Sequence, residues 1–196
     1  SHIYRLHIAI MPKLLHFSLD PFSRRLRLAL AEYGVAFDSV DEKPWTPSEQ
    51  LFAANPAGLV PVLIEDGGSA VSGIEAITEY LEETLGETKK LIPGGPLQRA
   101  EVRRVTGWFD TKFYAEVSEP IITEKIIRRF MTRETGGGAP DMGRVRYGLS
   151  RLRDHLDYIG SLADERAWLA GEEMSNGDLA AAAHLSVIDY LGDVPW

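Results

Sequence analysis

The stretch GLVPVLIEDGGSAVSGIEAITEYLEE, residues 58–83, decides the fold. PVLIED and SAV are short apolar runs on either side of Gly67-Gly68, the pattern of a β-hairpin. A helix follows, reaching about Leu85. Pro61 opens the first of these strands directly after Val60. Proline is tolerated there because no ladder donor is needed, and a cis bond suits the position. Ser72 reads as the N-cap of the helix and Glu75 as its capping-box partner. Free backbone N–H groups at the Ser72-Gly73 helix start are suited to a small anion.

Outward from the hairpin the grammar continues. PKLLHF (12–17) suits a buried strand, and AFDSV (36–40) is a second one. Between them DPFSRRLRLALAEYG spells a helix that Asp20 caps, Pro21 begins and Gly34 ends. Phe22, Leu26, Ala29 or Leu30, and Tyr33 recur at helical spacing, so Arg24, Arg25 and Arg27 are expected to point largely elsewhere. TPSEQLFAANPAG is a short helix stopped at Asn55-Pro56. Strand-helix-strand-helix-strand-strand-helix is the order of a small α/β layer structure, here over residues 11–85.

Residues 86–97 form a Gly/Pro-rich linker, and residues 98–196 read as all helical. Val102, Val105, Phe109, Phe113 and Val117 make one apolar stripe; Met142, Val145, Leu149, Leu152, Leu156 and Ile159 make another. Pro120 and TGGGAP (135–140) are expected to break this run, the three glycines as a mobile linker. In MSNGDLAAAAHLSVIDYL, Ser175 and Asp178 form a capping box, with Met174 and Leu179 as a hydrophobic staple. Ala180 to Leu185 is apolar enough to be the buried centre of the helical domain.

With 196 residues and 44% hydrophobic content, the chain can bury one large core or two small ones. A formal net charge of −8 argues against a general nucleic-acid or anionic-membrane binder. No apolar run is long enough for membrane insertion. The absence of cysteine removes disulfides, thiolate metal sites and a thiol nucleophile. The five histidines show no metal-ligand spacing, and His184, in an apolar helix, reads as a satisfied core histidine. The leading SHIYRLHIAI (1–10) has the look of a non-native leader, with Met11 as the natural start.

Four marks in order, DPFSRRLRLAL, NPAGLVPVL, EAITEYL and SNGDLAAAAHL, make the chain resemble a glutathione S-transferase. The resemblance implies an α/β plus all-α fold: an N-terminal thioredoxin-like domain followed by an all-helical C-terminal domain. It also implies a cis proline at Pro61, a homodimer, and chain continuing past Trp196 in further helix and tail.

The same resemblance identifies the positions of a ligand cleft: Asp20, Phe22, Val60, Pro61, Gly73 and Ile74. Cysteine-using relatives carry Cys-Pro-Phe where this chain has Asp20-Pro21-Phe22, and a carboxylate there repels a thiolate. Asp20 is therefore expected to be an N-cap. The Glu/Gln-Ser pair that clamps glutathione in relatives aligns with Gly73-Ile74. An acidic helix carrying Glu75, Glu79, Glu82 and Glu83 further disfavours an anionic ligand. No catalytic residue and no cofactor are expected; were the chain an enzyme acting through glutathione, Ser18 or Ser23 would serve the thiol. Trp108, Phe109, Phe113 and Tyr114 belong to the helix that would line the interdomain cleft; core packing explains most of them, and an electrophile pocket is the enzyme reading.

SLDPFSRRLRLAL, DEKPW and AAAAHLSVIDYLGDVPW resemble a bacterial branch of the family whose members bind the division GTPase FtsZ and are not regarded as glutathione enzymes. That resemblance implies a cytoplasmic protein at the division site, with FtsZ filaments as partner. EKIIRRFMTR (124–133) is basic in an acidic chain, and Arg128, Arg129 and Arg133 are candidate partner contacts; a solvated helix face is the plainer reading. Trp45, held between Pro44 and Pro47, is either a binding anchor or packing at the domain edge.

Overall fold

The computed structural model describes residues 11–196. Four short strands, β1 (Lys13–His16), β2 (Asp38–Asp41), β3 (Val62–Ile64) and β4 (Ala70–Ser72), form one sheet in the order β2-β1-β3-β4. β1 and β2 run parallel around the crossover helix α1 (Pro21–Glu32), while β3 is antiparallel to both β1 and β4. Side chains alternate across a strand, so Leu14 and Leu15 of β1 serve opposite faces. Leu14 joins Leu26, Leu30, Leu63, Ile77 and Leu81 beneath α1 and α3 (Ile74–Leu85). Leu15 joins Leu51 and Val62 on the other face, under α2 (Glu49–Ala54). Each fully buried leucine of this kind contributes roughly 2 kcal/mol of apolar burial. The Val60–Pro61 bond is cis.

α1 is built as its sequence reads. Asp20 accepts the Ser23 N–H at 2.7 Å as N-cap, and Pro21 stands in the first turn. Arg25 departs from expectation: it lies inside, ion-paired with Asp110 of the helical domain. Helical spacing places it beside Leu26 and Ala29, and a carboxylate opposite makes a charge tolerable there. The start of α3 departs too. Its N-cap is Gly73, at φ 86°, and no side chain caps it; Ser72 ends β4 instead. A positive φ of that size suits glycine and strains serine, so the predicted Ser72–Glu75 box does not form.

The junction between the domains is clasped by Glu82. Its carboxylate accepts from the N–H of Leu91 (3.0 Å), the N–H of Ile92 (3.2 Å) and the hydroxyl of Tyr33 (2.9 Å). Of the acidic set on α3, Glu82 is thus structural, and Glu79 is paired bidentately with Arg103.

Pro96 begins the next helix, α4, which runs unbroken to residue 130. It changes type along its length: α-helical over Pro96–Gly107, π-helical over Trp108–Ser118, then Glu119–Ile122, Thr123–Ile127 and Arg128–Phe130. Pro120 does not break it. The wider π turns ending at Ser118 loosen the ladder where proline removes a donor. The predicted break after residue 130 is real, and a backbone hydrogen bond closes it into a turn. Gly137 N donates to Thr132 O at 2.7 Å, and a Cβ on Gly137 would lie 2.0 Å from Met131 O.

α5 (Met142–Glu165) and α6 (Asn176–Tyr190) complete the helical domain. Val102, Val105, Phe109, Phe113 and Val117 are all core residues, together with Leu152, Ala180, Val187 and Ile188. Met142, predicted in the α5 stripe, is exposed because it sits in the first turn, beside its N-cap Asp141. The capping box of α6 is present, with Ser175 and Asp178 in their predicted roles. Within the apolar run of α6 only Ala182 faces outward. The predicted leader, residues 1–10, lies outside the described residues.

Candidate functional site: the interdomain cleft

A cleft of about 230 Å³ opens between the sheet domain and α4. The start of α1 supplies Asp20 and Phe22, the cis segment supplies Val60, and α4 supplies Tyr114, Glu119 and Ile127. Phe22 packs on Tyr114 with ring centroids 4.8 Å apart. Burial pushes the Asp20 carboxyl up to about 6, with hydrogen bonds from Ser23 and Phe22 holding it back and the nearby Asp110 adding to the rise. Burial also pushes the Tyr114 hydroxyl up to about 12, aided by the charges of Asp20 and Glu119.

Of the positions expected in the cleft, Asp20, Phe22 and Val60 line it. Pro61 is buried beneath it. Gly73 is exposed and Ile74 packs against the core of the sheet domain, so neither lines the cleft. Among the aromatic residues of α4, only Tyr114 reaches the cleft; Phe109 and Phe113 are in the core. Trp108 instead donates to His155 Nδ1 at 3.1 Å, and His155 Nε2 meets Glu116 at 2.8 Å.

The two serines part company. Ser23 is fully buried, and its hydroxyl accepts the Phe17 N–H at 3.2 Å. Ser18 is exposed. His184 is a buried core histidine, held by Ser118 at 2.7 Å, with its other nitrogen 3.6 Å from Asp110. Burial lowers its pKa, which keeps the ring neutral. That Arg25, Asp110, His184 and Ser118 form one buried polar cluster between the domains was not read from the sequence. The available signal was an arginine on the apolar side of α1.

Trp45 and the basic end of α4 come together. Trp45 stacks on Phe130 at 4.6 Å and 16°, and meets Phe17 edge-on at 5.7 Å. Phe130 is 59% exposed, so the stack stands at the surface. Arg129 and Arg133 flank it in the sequence and are exposed. Arg128 is partly occupied, pairing at 3.0 Å with the buried Glu124, which also holds Arg144. Among the described residues there is no cluster suited to a metal ion, and no helix long and apolar enough to cross a membrane.

The model of the glutathione S-transferase N-terminal domain matches residues 21–84. FtsZ-localized protein A of Caulobacter vibrioides is 45% identical over 184 residues, covering 92% of this chain and 78% of that protein. The chain belongs to the glutathione S-transferase-like family that includes FtsZ-localized protein A. Two solved members of the family resemble it closely. FzlA from C. crescentus superposes with a TM-score of 0.88 at 45% identity, over 95% of this chain and 82% of that one. A structure from Rhodospirillum rubrum F11, described as a glutathione S-transferase, gives a TM-score of 0.89 at 46% identity over the same shares. Structures with bound glutathione are 19–22% identical and share the fold.

Proposed function

We propose that this protein is a non-enzymatic division factor that binds FtsZ filaments as a homodimer and alters their curvature or stability. The likeness to FtsZ-localized protein A over 92% of the chain carries the reading. Phe130, exposed and stacked on the half-buried Trp45, with the exposed Arg129 and Arg133 close by in the sequence, supports a contact surface of aromatic anchor and cationic rim. A two-fold dimer carries that surface twice, which gives avidity on a polymer and a means of bridging or bending it. The acidic chain speaks against nucleic acid as a partner, and the expected place of action is the division site in the cytoplasm.

The test is co-sedimentation with GTP-assembled FtsZ. Saturable pelleting that depends on FtsZ, and is weakened in Arg129→Glu, supports the reading; no pelleting by the full-length protein ends it. A second reading, glutathione-dependent transfer to small electrophiles, is favoured by the description of the Rhodospirillum rubrum relative. Ser18 is its accessible hydroxyl, since Ser23 is buried and engaged by Phe17. Glutathione binding by calorimetry, lost in Ser18→Ala, would support it.

A further inference from the structure

The interdomain cleft has a charge character that its fold alone does not dictate. Its walls are apolar side chains such as Phe22, Leu59, Val60 and Ile127, and its polar groups are Asp20, Tyr114, Glu119 and Thr123. Among the described residues no basic side chain lines it. The two carboxylates come from different domains, Asp20 from the start of α1 and Glu119 from α4.

An anion has little to gain here. The N-terminus of α1 is the natural seat for one, since helix dipole and free N–H groups both favour negative charge. Asp20 already occupies it, its carboxylate taking the Ser23 N–H at 2.7 Å. A second negative group would meet Asp20 at close range in a partly dry space, where like charges repel strongly. Glu119 is paired on its outer side with Arg144 at 2.6 Å, so its charge is shared, and it accepts from Thr123 at 3.2 Å. Burial makes the Tyr114 hydroxyl harder to ionise, and the charges of both carboxylates add to that effect.

We propose that this cleft binds an organic cation on an apolar stem, an ammonium or guanidinium group whose head meets Asp20 and whose body packs against Phe22, Leu59 and Ile127. The head stands beside Tyr114, and its charge replaces the solvation that burial withholds from Asp20. A space of about 230 Å³ suits a single side chain or a small amine better than a tripeptide. The same chemistry has two sources, a free small amine or a lysine or arginine side chain of a partner protein. This site is independent of filament binding and stands or falls separately from it.

The experiment uses isothermal titration calorimetry with three probes of one shape: phenethylamine, phenethyl alcohol and hydrocinnamate. The amine is expected to bind about tenfold or more tighter than the alcohol, with the carboxylate weakest. Asp20→Asn, which keeps an N-capping side chain, should erase the amine's advantage while leaving the alcohol's affinity in place. Glu119→Gln, a variant away from the cap, should leave that advantage within about twofold, because Arg144 already pairs with Glu119. Equal affinity for amine and alcohol, preference for the carboxylate, or an advantage that survives Asp20→Asn overturns the proposal, as does no binding by any probe. Nα-acetyl-lysine methylamide separates the sources. Binding as tight as phenethylamine assigns the site to a partner's side chain, and binding much weaker assigns it to a free amine.

Discussion

The guanidinium of Arg25 on α1 and the carboxylate of Asp110 on α4 form an ion pair that crosses the domain boundary out of reach of water, with 2% and 6% of their side chains exposed. Burial lowers the Arg25 pKa and the Asp110 charge opposes that fall, so the arginine stays protonated. Nε and Nη1 of Arg25 and Oδ1 of Asp110 have no hydrogen-bond partner, so each partner depends on the other for compensation.

Removing one of the two leaves a bare buried charge. Arg25→Met and Asp110→Leu, made singly, should each cost about 3–5 kcal/mol in urea unfolding, whereas the double variant should recover much of that loss. If the two single losses simply add in the double variant, the pair is not a coupled unit.

Asp20 gives a pH prediction whose sign follows from its raised pKa of about 6. A carboxyl raised above its unfolded value of about 3.9 contributes stability that is fully present below that value. The contribution is lost as pH rises through about 6 in the folded protein. Burial sets the rise, Ser23 and Phe22 on α1 oppose it through their hydrogen bonds, and the charge of Asp110 on α4 adds to it. Asp20→Asn keeps a cap and removes the charge, so its melting temperature relative to the native chain should climb between about pH 4 and 6 and then level off. A difference constant across that range would refute the burial account.

What was legible in the sequence was local chemistry. Asp20, Pro21 and Gly34 delimit α1, and Ser175 with Asp178 starts α6, because a cap is decided within a few residues. The core stripe of α4 was equally plain, since Val102 to Val117 keep one face at helical spacing. What escaped depended on neighbours distant in sequence. Arg25 reads as a surface arginine until Asp110, 85 residues away, is placed against it. Gly73 takes the cap of α3 through a backbone dihedral that no side-chain pattern announces. Pro120 looked like a stop, and the π turns before it are a property of packing. In the cleft, Asp20, Phe22, Val60 and Tyr114 were found by family resemblance, whereas Glu119, on the same helix as Tyr114, was not singled out.

The serines near α1 should behave differently on substitution. Ser23→Ala leaves the buried Phe17 N–H without its acceptor, at a cost of about 1–3 kcal/mol. Ser18 is exposed, so Ser18→Ala should stay within about 0.5 kcal/mol of the native chain. Chemical unfolding of the two variants checks this, and equal losses would contradict the buried bond.

The stack of Trp45 on Phe130 joins the loop after β2 to the far end of α4, and it separates two roles that a single substitution would confuse. Trp45 also meets Phe17, which is 7% exposed, so Trp45→Ala costs stability as well as any contact made outside the molecule. Phe130 is more than half exposed, so Phe130→Ala removes the stack with less damage. A double-mutant cycle over the two positions should give a coupling of about 1 kcal/mol in unfolding free energy. If the stack is also the anchor of a protein contact, Phe130→Ala should weaken co-sedimentation with FtsZ about tenfold or more while the fold persists in circular dichroism. Coupling with unchanged sedimentation would make the stack a strut between the domains, and would move the partner contact to Arg129 and Arg133.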